Sequence, residues 1–217
     1  LKFQVIVADP PYAFSDKLTM SAVKRGADAQ YQGTLNQAAI LALPVNQVAE
    51  KDSVLALWVP STHLAEGMNI MKAWGFTYKQ NKIWVKIKIA KSVEKLLKKR
   101  DPKQPFDMNE ILGFGMGRLF RQTHEICLIG TKGKISKQLK NKSQRSVDLH
   151  PLMPKQVGKD SHSQKPETLQ DELEIMFPGA SNLELFARRE RDKWITLGNE
   201  VGARQDIRDS LPELVKL

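Results

Sequence analysis

The sequence predicts an α/β protein: an open, mostly parallel sheet in a single domain, residues 1–217. Two observations lead there. Short runs that are almost wholly apolar recur along the chain, as strands buried on both faces require. Between them lie stretches with helical spacing, closed by Pro or Gly, and strands alternating with helices favour parallel pairing. Sheets of this kind bind ligands beyond the carboxyl ends of their strands, which makes the residues after each strand the first place to look for function.

Residues 1–8 (LKFQVIVA) predict the first buried strand. Residues 13–33 have turn residues and no steady period, so they predict a long loop of the kind that is functional or disordered. Leu35–Leu43 predicts a helix halted by Pro44. Ser53–Val59 (SVLALWV) predicts a second buried strand. Ser61 suits the cap of a helix with Leu64, Met68 and Met71 on one stripe and Gly75 just past its end. Phe76–Lys86 predicts a strand, Lys91–Arg100 a short basic helix and Asp101–Asn109 a loose stretch, so residues 87–110 read as a basic insert. Glu125–Gly130 predicts a strand. Lys165–Phe177 predicts a helix with Pro166 in its first turn, Glu167 and Asp171 early, and Gly179 at its end. Ser181–Phe186 and Trp194–Leu197 predict the last strands. The chain has no internal repeat and no long low-complexity tract.

A hydrophobic share of 41% with 27% charged residues predicts a soluble globular chain. No apolar run approaches the roughly 20 residues needed to span a bilayer, and no signal-peptide pattern is present. Cys127 is the only cysteine and lies in an apolar stretch, so a buried structural thiol is expected and no intrachain disulfide is available. These features predict a cytoplasmic setting. The chain opens on Leu1, which predicts a trimmed or partial piece.

The net charge of +10 is concentrated. Ten Lys/Arg stand against Glu94 and Asp101 between Lys79 and Phe106, and five lysines with no acid lie between Thr131 and Gln144. Clustered cations attract polyphosphate chains through counterion release, although a lysine-rich solvated loop gives the same composition.

Asp9-Pro10-Pro11-Tyr12 stands where the first strand ends. Proline pairs are common turn devices, because proline fixes φ and biases its predecessor toward extended geometry. The full quartet is more specific. Two prolines hold the backbone rigid with carbonyls free to accept, Asp9 adds an acceptor, and Tyr12 adds a flat face. An exocyclic amino group on a planar ring needs such a set.

The quartet matches the (D/N/S)PP(Y/F/W) motif of amino-methyltransferases that use S-adenosylmethionine, in the Asp form typical of adenine-N6 enzymes. With "YQGTLNQAAILALPV", "LWV", "AWGFTYKQNKIWVK", "THEICLIGTKGK", "HSQKPE" and "ELFARRERDKWITLGNEV" following in order, the chain resembles the MT-A70 family over residues 3–202. The tail looks like that of bacterial and phage members. The resemblance implies a Rossmann-like class I methyltransferase fold, helices on both faces of the sheet, with the catalytic motif ahead of most cofactor motifs. It also implies a bacterial cell or phage-infected host as the setting.

Residue by residue, the resemblance implies that Asp9 and the Pro10 carbonyl, held rigid by Pro11, receive the adenine amino group. It implies that Tyr12 stacks on the base, and that Asp9 also touches the cofactor's methionine part. Lys165 corresponds to a lysine reaching the cofactor carboxylate or the active site, Arg188 to an arginine near the ribose, and Asn199 with Glu200 to the pair binding the adenosine part. Tyr31 falls where the family often has an active-site tyrosine. Lys86, Arg118, Arg121 and His124 are further candidates for contact with the nucleic acid. Gly113-Phe114-Gly115-Met116-Gly117 mimics a cofactor loop but reads as a loop near the substrate, since no clean strand precedes it and no long helix follows. In two places the chain departs from the family. An acid upstream of the catalytic strand falls outside this sequence, and residues 189–193 lack a His-Asn pair some eukaryotic members carry.

The function implied is methyl transfer from S-adenosylmethionine to N6 of adenine in DNA, with no metal. RNA is the rival substrate, and a catalytically silent nucleic-acid-binding subunit is the rival class. A homo- or heterodimer remains open. The target base must be flipped out of a duplex or presented single-stranded. Both lysine clusters are candidates to offset the flipping, and residues 13–33 are a candidate lid.

Overall fold

A computed structural model describes residues 1–12, 35–113, 115, 119–151, 164–202 and 206–217. Tyr31, Arg118 and the expected lid at residues 13–33 lie outside the described residues. The described residues form seven strands: β1 (Phe3–Ala8), β2 (Ala49–Val59), β3 (Thr77–Ile87), β4 (His124–Lys132), β5 (Val147–Pro151), β6 (Asn182–Leu185) and β7 (Trp194–Leu197). They make one sheet in the order β5-β3-β4-β2-β1-β6-β7. β1 is parallel to β2 and β6, β6 to β7, and β3 to β5. β4 runs antiparallel to both of its neighbours, β2 and β3. The sheet is therefore mostly parallel, as expected, with one reversed strand in its interior.

The helices are α1 (Gln37–Leu41), α2 (Val45–Val48), α3 (Leu64–Ala73), α4 (Ala90–Lys99), α5 (Thr168–Met176) and α6 (Ile207–Lys216). Alternation along β1 explains why its apolar run is continuous. Ile6 and Ala8 pack on one face with Ile70, Trp74 and Leu211, whereas Val5 and Val7 pack on the other with Trp58, Leu169 and Leu173. Helices thus cover both faces of the sheet. None among the described residues is long and apolar enough to cross a membrane.

Several elements differ from expectation. The helix expected over Leu35–Leu43 is split: Asn36 caps α1 by accepting from the Ala39 N–H at 2.8 Å, and a second single turn follows Pro44. Ser61 does not cap α3, because Ser61–His63 forms a 3-10 turn first. The buried stripe of α3 is Gly67, Ile70 and Met71, whereas Leu64 and Met68 face solvent. The close approach at Gly67 sets that rotation, since a Cβ there would lie 2.6 Å from Val59 Cγ2. β5 and α6 gave no clear sequence signal. The first is a short edge strand ending in Pro151, and the second carries Pro212 inside it.

Residues 88–111 leave the sheet and return to it. The Lys88 N–H donates to the Ile111 carbonyl at 2.8 Å, and Ile87 bridges Leu112. Within this excursion α4 has no buried residue.

Candidate active site

Parallel direction brings the ends of β1, β2, β3, β6 and β7 to one edge, and the reversal of β4 brings its start to the same edge. Asp9 leaves β1 there, its N–H donating to the Leu185 carbonyl of β6 at 3.4 Å. The next residues turn tightly, because the Tyr12 N–H donates to the Pro10 carbonyl at 2.9 Å. That carbonyl was expected to be free; it keeps one lone pair. The Tyr12 ring is buried, with its centroid 5.4 Å from that of His63 at an interplanar angle of 50°. Its hydroxyl has no hydrogen-bond partner among the described residues. Burial, then the Asp9 charge, pushes the phenol pKa up.

Asp9 ends a chain of alternating charges. Lys165 Nζ donates to Asp9 Oδ1 at 3.1 Å and Oδ2 at 2.9 Å, and lies 3.1 Å from Glu125 Oε2. Lys86 Nζ holds the other oxygen of Glu125 at 2.6 Å. Trp58 and Trp84 flank the two ammonium groups, at 5.8 and 5.2 Å from the ring centroids. These tryptophans were expected to pack in the core, and they are buried, but their faces also line this chain.

The two carboxylates respond differently to the shared lysine. Burial raises the Asp9 pKa and outweighs the lowering by Lys165. Burial also opposes ionisation of Glu125, but Lys165 and Lys86 together overcome it and hold its pKa low. Burial works against the Lys165 ammonium as well, yet Asp9 and Glu125 prevail and raise its pKa. Asp9 is the less satisfied acid. It keeps 33% of its side-chain surface open, against 19% for Glu125.

A second group of candidates lies where β6 and β7 end. Phe186 takes a left-handed φ of 62° as the chain leaves β6, a conformation uncommon for bulky residues. The Ala187 N–H donates to the Leu197 carbonyl at 2.9 Å, which brings the two strand ends together. Gly198 permits this contact, since a Cβ there would lie 2.2 Å from the Ala187 oxygen. Arg188 Nε then donates to Glu200 Oε1 at 2.9 Å, and Asn199 is exposed between. The Arg188 charge is felt at Asp9, where it opposes the burial-driven rise.

Residues 189–193 pin this turn to α5. Arg191 meets Glu167 at 2.8 Å, Asp171 at 2.6 Å and Glu174 at 2.8 Å, and Arg189 pairs with Glu167. Glu167 and Asp171, expected early in this helix, therefore also anchor the strand-end loop.

The remaining candidates are dispersed. Lys86, expected as a nucleic-acid contact, pairs with Glu125 and so belongs to the charge chain. His124 is half-buried as it opens β4, and Arg121 is exposed just before it. Cys127 is fully buried, which pushes its thiol pKa up, as its apolar setting predicted. Glu125 and His63 were missed. Glu125 sat inside a quoted motif, but only the direction of β4 brings it to Lys165.

The MT-A70 family profile matches residues 3–200. An N(6)-adenosine-methyltransferase MT-A70-like protein of Drosophila melanogaster is 27% identical over 99% of this chain and 29% of its own length. Type II methyltransferase M.MunI of Mycoplasma sp is 26% identical over 92% of this chain and 78% of its own length. The N(6)-adenosine-methyltransferase catalytic subunit METTL3 of Homo sapiens is 26% identical over 92% of this chain. The chain spans less than a third of the Drosophila and human relatives, at 29% and 28% of their lengths.

Proposed function

Since the chain belongs to the MT-A70 family, we propose that it transfers a methyl group from S-adenosylmethionine to the N6 amino group of adenine in DNA. The observation that carries this reading is Asp9. It is a strand-end carboxylate clamped by Lys165 on both oxygens yet one-third open, at 33% exposure, beside a buried aromatic ring.

The residues present suit the cofactor. It offers an ammonium and a ribose diol, which donate hydrogen bonds, and a sulfonium cation, which favours nearby negative charge. Asp9 keeps open surface, and Glu200 is exposed one residue beyond the Asn199 amide. Lys165 is the cation suited to its carboxylate, and Arg188, beside Glu200, is the one expected near its ribose. When bound, S-adenosylmethionine supplies a methyl group activated by the sulfonium.

The protein's part is orientation and electrostatics. Lys165 fixes the Asp9 carboxylate, and Glu125 with Lys86 fixes Lys165. Asp9 and the spare lone pair of the Pro10 carbonyl accept the two amino hydrogens. That draws the nitrogen toward a pyramidal shape and frees its lone pair. The proton released on transfer goes to Asp9 or to water. The Tyr12 ring, with His63 against it, is the flat face expected beside the base.

DNA is favoured by the bacterial and phage character of the tail and by coverage of 78% of M.MunI. RNA is the second reading, favoured by the likeness to the N(6)-adenosine-methyltransferases of Drosophila and human. Of the two lysine clusters, the one containing α4 lies at the catalytic edge, since it follows the end of β3. It is the cluster suited to flank a flipped base.

Incubation with labelled cofactor and matched DNA and RNA, followed by nucleoside mass spectrometry, tests the reading. The expected product is N6-methyldeoxyadenosine. Label on RNA alone replaces the substrate, and no labelled nucleoside with intact cofactor binding makes the chain a silent subunit.

A further inference from the structure

The reversal of β4 divides the basic residues between opposite edges of the sheet. β1 and β2 begin, and β4 ends, at the edge remote from Asp9. Lys2 precedes β1, Lys51 lies early in β2, Lys132 closes β4, and Lys134, Lys137 and Lys140 follow it. The segment is held there: Gln138 bonds the Gln4 amide, and the Lys140 N–H donates to the Met176 carbonyl at 2.9 Å. A strand the length of β4 spans roughly 27 Å. Any help the cluster at Lys132–Lys142 gives to base flipping would therefore come from holding the backbone at a distance from the flipped base.

These lysines differ from those nearer the catalytic edge in how they are compensated. Lys82 pairs with Glu172, Lys86 with Glu125, and Lys165 with Asp9 and Glu125. Among the described residues, no carboxylate forms an ion pair with any of the six at the remote edge. Among the described residues, Lys2 reaches the Gln47 carbonyl, and Lys132 the oxygens of Asn46, at 3.2 and 2.7 Å. Two acids share this edge without closing an ion pair to a described residue: Glu50 is exposed, and Asp52 accepts from the Lys134 backbone N–H at 2.6 Å. Burial, then the Lys2 charge, depresses the Lys132 pKa, so the two ammonium groups repel. A cavity of about 230 Å³ opens beside them, between Gln4, Lys137, Lys140 and Phe177.

Lysines that pair with no described carboxylate, set along one edge, are complementary to a phosphodiester chain. We propose that this edge is a second nucleic-acid contact, which holds the substrate backbone far from the target base. The proposal rests on the methyltransferase reading for the identity of the polymer. A contour of roughly 27 Å corresponds to about eight base pairs of duplex. Only a substrate long enough to pass from the catalytic edge to the remote one engages both.

The test is a Lys134→Gln/Lys137→Gln/Lys140→Gln variant, whose changes are confined to exposed side chains. Fluorescence anisotropy measures its binding to a duplex of about 40 base pairs and to a short hairpin duplex of about 5, less than the span, across a salt series. For the long duplex, Kd should rise at least about tenfold and the salt slope fall by about three. Binding and methylation of the short duplex should stay unchanged. Unaltered affinity and slope on the long duplex overturn the proposal, as does an equal loss on both lengths. Preferential loss of binding to anionic vesicles or to an acidic peptide overturns the nucleic-acid assignment. Binding is read without turnover, so a wild-type chain that binds long DNA but transfers no methyl group sinks the enzyme reading alone.

Discussion

Lys165 donates to both oxygens of Asp9, at 3.1 and 2.9 Å, across 156 positions of sequence. The same ammonium is shared with Glu125 at 3.1 Å. Two acids on one lysine cannot be equally satisfied, and burial leaves Asp9 with the raised pKa and Glu125 with the lowered one. Substitutions at the two acids should therefore differ in sign.

Asp9→Asn should lower methyl transfer by at least about 100-fold, as expected for loss of an acceptor aimed at developing charge. Its stability should not fall. A folded pKa above the unfolded value of about 3.9 contributes stability that is present below that value and lost as pH rises through the folded one. At neutral pH the ionised Asp9 is thus a net burden, and the asparagine variant should melt at the same temperature or higher. The wild-type kcat/KM profile should show its acid limb displaced above about pH 3.9. A limb at or below that value, or a clear drop in melting temperature, counts against the assignment.

Glu125→Gln should destabilise the protein by roughly 3 kcal/mol at neutral pH, since it breaks a mostly buried pair. A depressed folded pKa contributes stability present above the unfolded value of about 4.3 and lost as pH falls through the folded one. The difference from wild type should therefore shrink in acid. Urea unfolding at neutral and acid pH reads this directly, and a constant difference would show that Glu125 acts through packing alone.

Tyr12→Phe removes a buried hydroxyl that has no partner among the described residues. It should stabilise the fold by about 1 kcal/mol, whereas Tyr12→Ala should lose both stability and activity. Thermal unfolding and initial rates on both variants distinguish a ring that matters from a hydroxyl that matters. A destabilised phenylalanine variant would mean that the hydroxyl has a partner in solution.

Gly198→Ala puts a methyl group 2.2 Å from the Ala187 oxygen, a contact backbone cannot absorb without parting the ends of β6 and β7. The expected loss is at least about 2 kcal/mol, as for overpacking elsewhere. Cofactor affinity should fall with it, because Arg188 and Glu200 both issue from that junction. Calorimetric binding that stays at the wild-type value despite the destabilisation would separate this turn from the cofactor site.

The chain's own residues determined most of the local structure. Continuous apolar runs marked β1, β2 and the interior of β4, because strands buried on both faces admit little else. The Asp-Pro-Pro-Tyr quartet, with the motifs that follow it, was enough to identify the family. What the run Ile126–Ile129 did not carry is a direction, since an all-apolar strand reads the same either way along the sheet. Direction was decided by pairing with β2 and β3 over long sequence separations. That one reversal delivers Glu125 to Lys165 and carries the lysines after Thr131 to the far edge. Only the assembled sheet sets one basic cluster after the strand end on the Asp9 edge and the other at the opposite edge.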